Sequence, residues 1–247
     1  MYHTILNHRS IRKYKNTPID ENLLNQILEA GIRASNTGNM QAYSMVVTRD
    51  KDVKDLLWEC HFKQDMVKEA PVIITFCADL NRFHKWCRQR NANPAYNNFL
   101  WFYNASIDAV LASQNICLAA EARDLGICYL GTTTYMADKI IDILNLPSLV
   151  VPVTSIVMGY PGEVAELTDR LPLEGVIHNE TYKQYTTGDI DSIYEDKDTS
   201  EETKELLEIN KKETLAQIFT DIRYKKSDNE LFSEKYLNTI KSQGFSD

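Results

Sequence analysis

The chain has 247 residues, 43% of them hydrophobic and 25% charged, the proportions of a globular domain with length enough to bury a substantial core. A formal net charge of -8 and a pI near 5.2 exclude non-specific attraction to nucleic acid or to an anionic membrane surface. The longest apolar run, APVIITFCA, is strand-sized and far too short to span a bilayer, and no charged head with a long apolar run marks a secretory signal.

Taken in chain order, the first feature is LNHRSIRKY, residues 6 to 14, in which Arg9 and Arg12 would share one face if the segment were helical. On spacing alone this is either a solvated helix face or an anion site. TPIDENLLNQILEAGIRAS follows and reads as a helix, with Asp20 as N-cap, Glu21 in the first turn and Leu23, Leu24, Ile27, Leu28 and Ile32 at helical spacing. SNTGNMQ is a polar break, rich in hydroxyl and amide donors. YSMVVTRD is a short strand, KDVKDLLWECH a helix, and VIITFCAD a buried strand by its length and β-branched run.

From about Asn98 to Leu125 runs the longest helical pattern, apolar on more than one face, with Gly126 as the predicted C′ stop. A helix apolar nearly all round belongs in a core or at a subunit interface. Next come the strand ICYL, a loop GTTT, a helix YMADKIIDILNL ended by Pro147, and the strand VVPVTSIVMGYP. The pattern weakens from about Glu163, and the tail from Asp189 is highly charged and helix-like with a thin apolar stripe. The expected organisation is one domain over residues 1–188 with a helical extension, 189–247, packed on it. Three or four strands separated by helices predict an α+β fold, a mixed, mainly antiparallel sheet flanked by helices.

Most catalytic signatures are missing: no nucleophile elbow, no phosphate-binding P-loop, no zinc-protease helix, no Cys/His cluster and no Rossmann glycine pattern. No metal is expected. The five histidines are scattered, and His84 is expected at the surface. The five cysteines (Cys60, Cys77, Cys87, Cys117, Cys128) contain no C-x-x-C pair and suit a reducing cytosol. An enzyme of this kind needs its chemistry from a cofactor.

Five segments in order, HRSIRKY, APVIITFCADLNR, DAVLASQNICLAAEARDLGICYLG, LPSLVVPVTSIVMGYP and DRLP, resemble the FMN-dependent nitroreductase family. The likeness is greatest to its NADPH-dependent nitroreductase and flavin reductase branch, over roughly residues 5 to 185. The resemblance implies an intertwined homodimer with one FMN per subunit, reduced by NADPH or NADH. Electrons then pass in a ping-pong scheme to an electron-poor acceptor such as a nitro compound, a quinone or free flavin. No side chain need act as acid or base. A specialised relative, such as a reductive dehalogenase or ene-reductase, and a flavin binder without turnover are the alternatives.

By the same likeness, His8, Arg9 and Ser10 would hold the phosphate and ribityl end, with Arg170 closing on the phosphate. Arg12 would lie at the pyrimidine edge, where a fixed positive charge favours the reduced flavin. Ser35, Asn36, Thr37, Asn39 and Gln41 would reach over from the partner subunit, Gln64 would bind the pyrimidine ring, and Leu130, Gly131 and Thr132 would pass over the flavin near N5. The family branch has a second glycine where this chain has Thr132, an arginine where it has Thr134 and a lysine where it has Thr168. Lys211 and Lys212 stand where an arginine-rich stretch would hold the NADPH phosphate, so the nicotinamide preference is open.

Overall fold

Strand β2, Val72–Asp79, is buried along its whole length, as a β-branched run in a central strand should be. In the computed structural model, which describes residues 2–246, it pairs antiparallel with β1 (Tyr43–Thr48) on one side and β4 (Val150–Gly159) on the other. β3 (Gly126–Leu130) completes the order β1-β2-β4-β3. Among the described residues, parallel pairing is confined to isolated bridges, Ser10 with Ile127 and Asn98 with Ser246. The sheet belongs to the first of two compact units, residues up to Glu166 together with those from Phe232 onward; the second is Leu167–Leu231.

Period-2 alternation divides the core of the first unit. β2 sends Val72, Ile74 and Phe76 to one face, where Leu24 and Ile27 of helix α2 (Glu21–Ile32) and Ala112 and Ile116 of helix α6 (Phe99–Glu121) cover them. Ile73 points the other way, onto Leu57 of α3 (Lys51–Cys60), Val67 of α4 (Asp65–Glu69) and Ile140 of α7 (Ala137–Ile143). A third cluster joins Phe102 of α6 to Ile240 and Phe245 at the chain end. Asp20 caps α2 by accepting from the Leu23 N–H, and Asn98 caps α6 through Trp101.

Four sequence expectations are corrected. The first helix, α1 (Tyr2–Leu6), ends before HRSIR, and Ser10 instead bridges Ile127 while the Ile11 N–H donates to the Ile127 carbonyl at 2.9 Å. Arg9 and Arg12 therefore share no helical face; the segment covers an otherwise open strand edge. Gly126 does not stop α6. The chain reverses at Asp124, which is left-handed at φ 61°, and Gly126 opens β3 because a Cβ there would lie 2.5 Å from Ile11 Cγ1. The GTTT segment is a 3₁₀ turn, Gly131–Met136, rather than an open loop. His84 is buried, 4% exposed, on the inner side of α5 (Asn81–Gln89) with Cys87, because i, i+3 spacing turns both inward.

In the second unit the tail is two helices, α8 (Thr187–Thr199) and α9 (Glu201–Asn210), broken at Ser200, which caps α9 through Thr203. A short turn α10 (Leu215–Gln217) and a π-helical turn Ile218–Arg223 follow. Its boundaries fall at residues 167 and 231 where the sequence pattern places one at 188. Lys197 of α8 bonds Asp169, and Gly175 lies against Ile193, so the irregular segment after Glu166 packs with α8. Helix α11 (Lys226–Ser242) carries the chain back, and the Ser246 N–H donates to the Asn97 carbonyl at 2.9 Å.

Candidate active site

Three groups of sequence-predicted residues assemble in the first unit. In the first, His8 Nδ1 lies 2.6 Å from Glu121 Oε1 at the end of α6. Burial raises the Glu121 carboxyl above the ordinary range, against the lowering effect of the His8 bond. Arg9 is half-buried, and its Nε and Glu121 Oε2 are buried with no partner among the described residues. Both line a cleft of about 520 Å³ shared with His3, Asn7, Ile11 and Pro161. Beyond Ser10, the Arg12 backbone N–H donates to Glu163 Oε1 at 2.8 Å, while its exposed guanidinium takes no partner among the described residues. Two cationic forks are thus held beside one extended segment with donors to spare.

The second group is the loop between α2 and β1. The Thr37 N–H and hydroxyl both donate to Asp108 Oδ1, at 2.8 and 3.0 Å, and the Ala42 N–H donates to Asp108 Oδ2 at 3.3 Å. Asn36 Oδ1 accepts from the Gln41 N–H at 3.2 Å. Gly38, Asn39 and Gln41 are left-handed, with φ of 56°, 58° and 52°. Ser35, Asn39 and Gln41 stay exposed, and Asn36, Asn39 and Gln41 border a hollow of about 270 Å³. Asp108, 1% exposed, fastens this loop, a role the sequence reading missed. Its signal was legible: it is the one acid between Phe99 and Ala120 in an otherwise apolar helix.

The third group is the turn after β3. Leu130 is buried, while Gly131 is exposed and a Cβ there would meet no atom within 4 Å. Gly131 is thus not required by packing inside this chain, and it leaves backbone open to a ligand. Thr132 Oγ1 lies 2.7 Å from Nδ1 of His61, and Gln64 Nε2 donates to the His61 carbonyl at 3.0 Å and reaches Thr132 Oγ1 at 3.5 Å. His61 is wholly buried, and burial pushes its pKa down to about 4. Between His61 and Gln64, Phe62 and Lys63 are both left-handed, at φ 53° and 58°, a costly conformation for non-glycine residues.

Arg170 lies in the second unit, exposed, its Nη1 donating to the Thr168 hydroxyl and the Asp169 carbonyl, both at 2.8 Å. Lys211 is exposed and left-handed, at φ 51°, and Lys212 donates to Asp221 at 2.7 Å, a bond that lowers the Asp221 pKa. Among the described residues there is no group of three or more His, Cys, Asp or Glu placed to hold a metal.

Residues 5–63 and 55–160 match the family model described as "Nitroreductase family". The chain belongs to the nitroreductase family. It is 32% identical over 185 residues to the FMN reductase (NADPH) of Bacillus subtilis, covering 74% of each chain. A solved Bacteroides fragilis structure superposes with a TM-score of 0.97 at 52% identity, covering 99% of this chain and 100% of that one. The NfrA1 nitroreductase of B. subtilis superposes with a TM-score of 0.88 at 28% identity, over 99% and 98%. These two superpositions extend the likeness over nearly the whole chain and its α+β fold.

Proposed function

We propose that this member of the nitroreductase family is an FMN-dependent oxidoreductase that uses reduced nicotinamide to reduce nitro compounds, quinones or free flavins. The observation that carries FMN is the pair of arginines with free donors, Arg9 half-buried and Arg12 exposed, on one segment of a chain whose net charge is -8. A terminal phosphate and a pyrimidine edge are the acceptors such forks suit. The open backbone at Gly131, beside Gln64 and Thr132, suits a flat ring.

FMN, when bound, would supply two-electron redox chemistry between a reduced nicotinamide and the acceptor. The protein's part is to bind and orient. Arg9, Ser10 and His8 would hold the phosphate end. Arg12 would supply fixed charge, Thr132 a hydroxyl donor and Gln64 its amide oxygen, since both Gln64 N–H groups are directed to His61 and Thr132. The loop of Ser35, Asn36, Thr37, Asn39 and Gln41 would supply polar contacts to the partner's cofactor. Thr37 has its hydroxyl proton on Asp108 already, so its backbone and oxygen lone pairs are what it has left to offer. Lys212 is paired with Asp221, which leaves Lys211 as the freer cation for a nicotinamide phosphate.

The protein acts as a homodimer in this reading, because α6 exposes a second apolar stripe, Tyr103, Ile107, Val110 and Leu111, opposite its buried alanines. The five cysteines are free and buried, which suits the cytosol. Among the described residues no helix is long and apolar enough to cross a membrane. Purified protein should be yellow, release FMN rather than FAD by mass spectrometry, and bleach on titration with NADPH or NADH. Protein that takes up no flavin on reconstitution, or takes up FAD, refutes the reading.

A further inference from the structure

Thr132 stands second in the 3₁₀ turn Gly131–Met136, half-buried beside the exposed backbone of Gly131. Its surroundings decide what that hydroxyl can do. His61 Nδ1 is 2.7 Å from Thr132 Oγ1, and His61 Nε2 is buried with no partner among the described residues. A neutral imidazole carries one proton, on one nitrogen or the other. If the proton sat on Nε2 it would be a buried N–H with no acceptor, the rarest kind of orphan in folded proteins. On Nδ1 it has an acceptor at bonding distance. Nδ1–H therefore donates to Thr132 Oγ1.

The Gln64 amide approaches the same oxygen from its other side at 3.5 Å, while its second N–H is held on the His61 carbonyl. Oγ1 then receives from both neighbours, and the single hydroxyl proton of Thr132 has no acceptor left among the described residues. The two consecutive left-handed residues, Phe62 and Lys63, set this geometry by turning Gln64 back onto His61. Burial keeps His61 neutral throughout the physiological range, so its donor role does not titrate.

We propose that His61 is a positioning residue that forces the Thr132 hydroxyl to donate outward, to a carbonyl oxygen of the bound flavin. This rests on the FMN reading above. On that reading Gln64 and Thr132 both face the pyrimidine half of the flavin, whose 4-carbonyl is an acceptor the Thr132 hydroxyl would meet. Negative charge on that oxygen grows on reduction, so a fixed donor strengthens as the flavin is reduced and raises its potential.

The test begins on apoprotein, with nitrogen-15 NMR of the His61 ring, where the Nδ1–H tautomer is expected at neutral pH. FMN affinity by fluorescence quenching and the midpoint potential of bound FMN are then measured for four variants. Thr132→Val and His61→Leu should each weaken FMN about three- to tenfold, the span of one neutral hydrogen bond, and lower the potential. Thr132→Ser, which keeps the hydroxyl, and His61→Asn, whose amide N–H can replace Nδ1–H, should stay near the parent. The double variant Thr132→Val with His61→Leu should be no worse than Thr132→Val alone, since both act through one bond. Thr132 is half-buried, so Thr132→Val carries the test even if His61→Leu folds poorly. A proton on Nε2, or an unchanged potential and affinity in Thr132→Val, overturns the inference while FMN binding by the parent stands. A parent protein that binds no FMN overturns the reading and the inference together.

Discussion

Arg9 and Arg12 sit three residues apart but in different surroundings, and the difference predicts different failures. Arg9 is half-buried beside His8 and Glu121, where constant negative charge on a phosphate would be felt in either redox state. Arg12 is exposed with a free guanidinium. On the proposed assignment, Arg9→Ala releases cofactor, whereas Arg12→Ala retains oxidised FMN but lowers its potential and slows hydride uptake. A charge-assisted bond of this kind is worth roughly 1.5 to 3 kcal/mol. Redox titration beside FMN affinity separates the two, and an Arg12→Ala protein that loses FMN as Arg9→Ala does, with its potential kept, assigns both arginines to the phosphate. A second residue-scale expectation concerns acid. His61 titrates at about 4 folded against 6.5 as a free side chain, so the unfolded chain binds the extra proton and stability falls as pH drops from about 6.5 toward 4. The loss should reach about 2 kcal/mol by pH 5. Urea midpoints at pH 7 and pH 5 should show it in the parent and should show that much less of a drop in His61→Asn.

At the scale of elements, the loop over residues 35–41 is held by one buried carboxylate. Asp108→Ala leaves the N–H groups of Thr37 and Ala42 without their acceptor and should cost about 2 to 3 kcal/mol. Amide exchange should rise at residues 37–42 before it rises in the sheet; uniform destabilisation without local loosening would remove the loop-anchor role. Which elements were legible follows from how local their causes are. Asp20 and Asn98 cap their helices through neighbours three residues on, and the alternation in β2 is written in adjacent residues. The extended path of HRSIR was not legible because it is set by Ile127, more than a hundred residues away. Gly126 was misread as a helix stop because the demand for glycine comes from the distant Ile11 side chain packed against it.

For the whole molecule, the apolar residues of α6 exceed what one chain can cover. Ile107 and Val110 are 41% and 46% exposed, and a stripe of this kind calls for a partner. The expected assembly is an obligate homodimer burying more than about 2,000 Å². Ile107→Glu should shift it toward monomer in light scattering and release FMN in parallel; an FMN-loaded monomeric parent would remove the dimer from the proposal. Local periodicity by itself pointed to the α+β class, and the ordered motifs, through their resemblance to the nitroreductase family, carried the family and the cofactor expected with it. Only the tertiary structure decided that Asp108 anchors the loop, that Glu121 faces His8 and that His61 meets Thr132. Each of those pairs brings together residues distant in the chain, and hydrogen-bond distance and burial exist only once the chain has closed on itself.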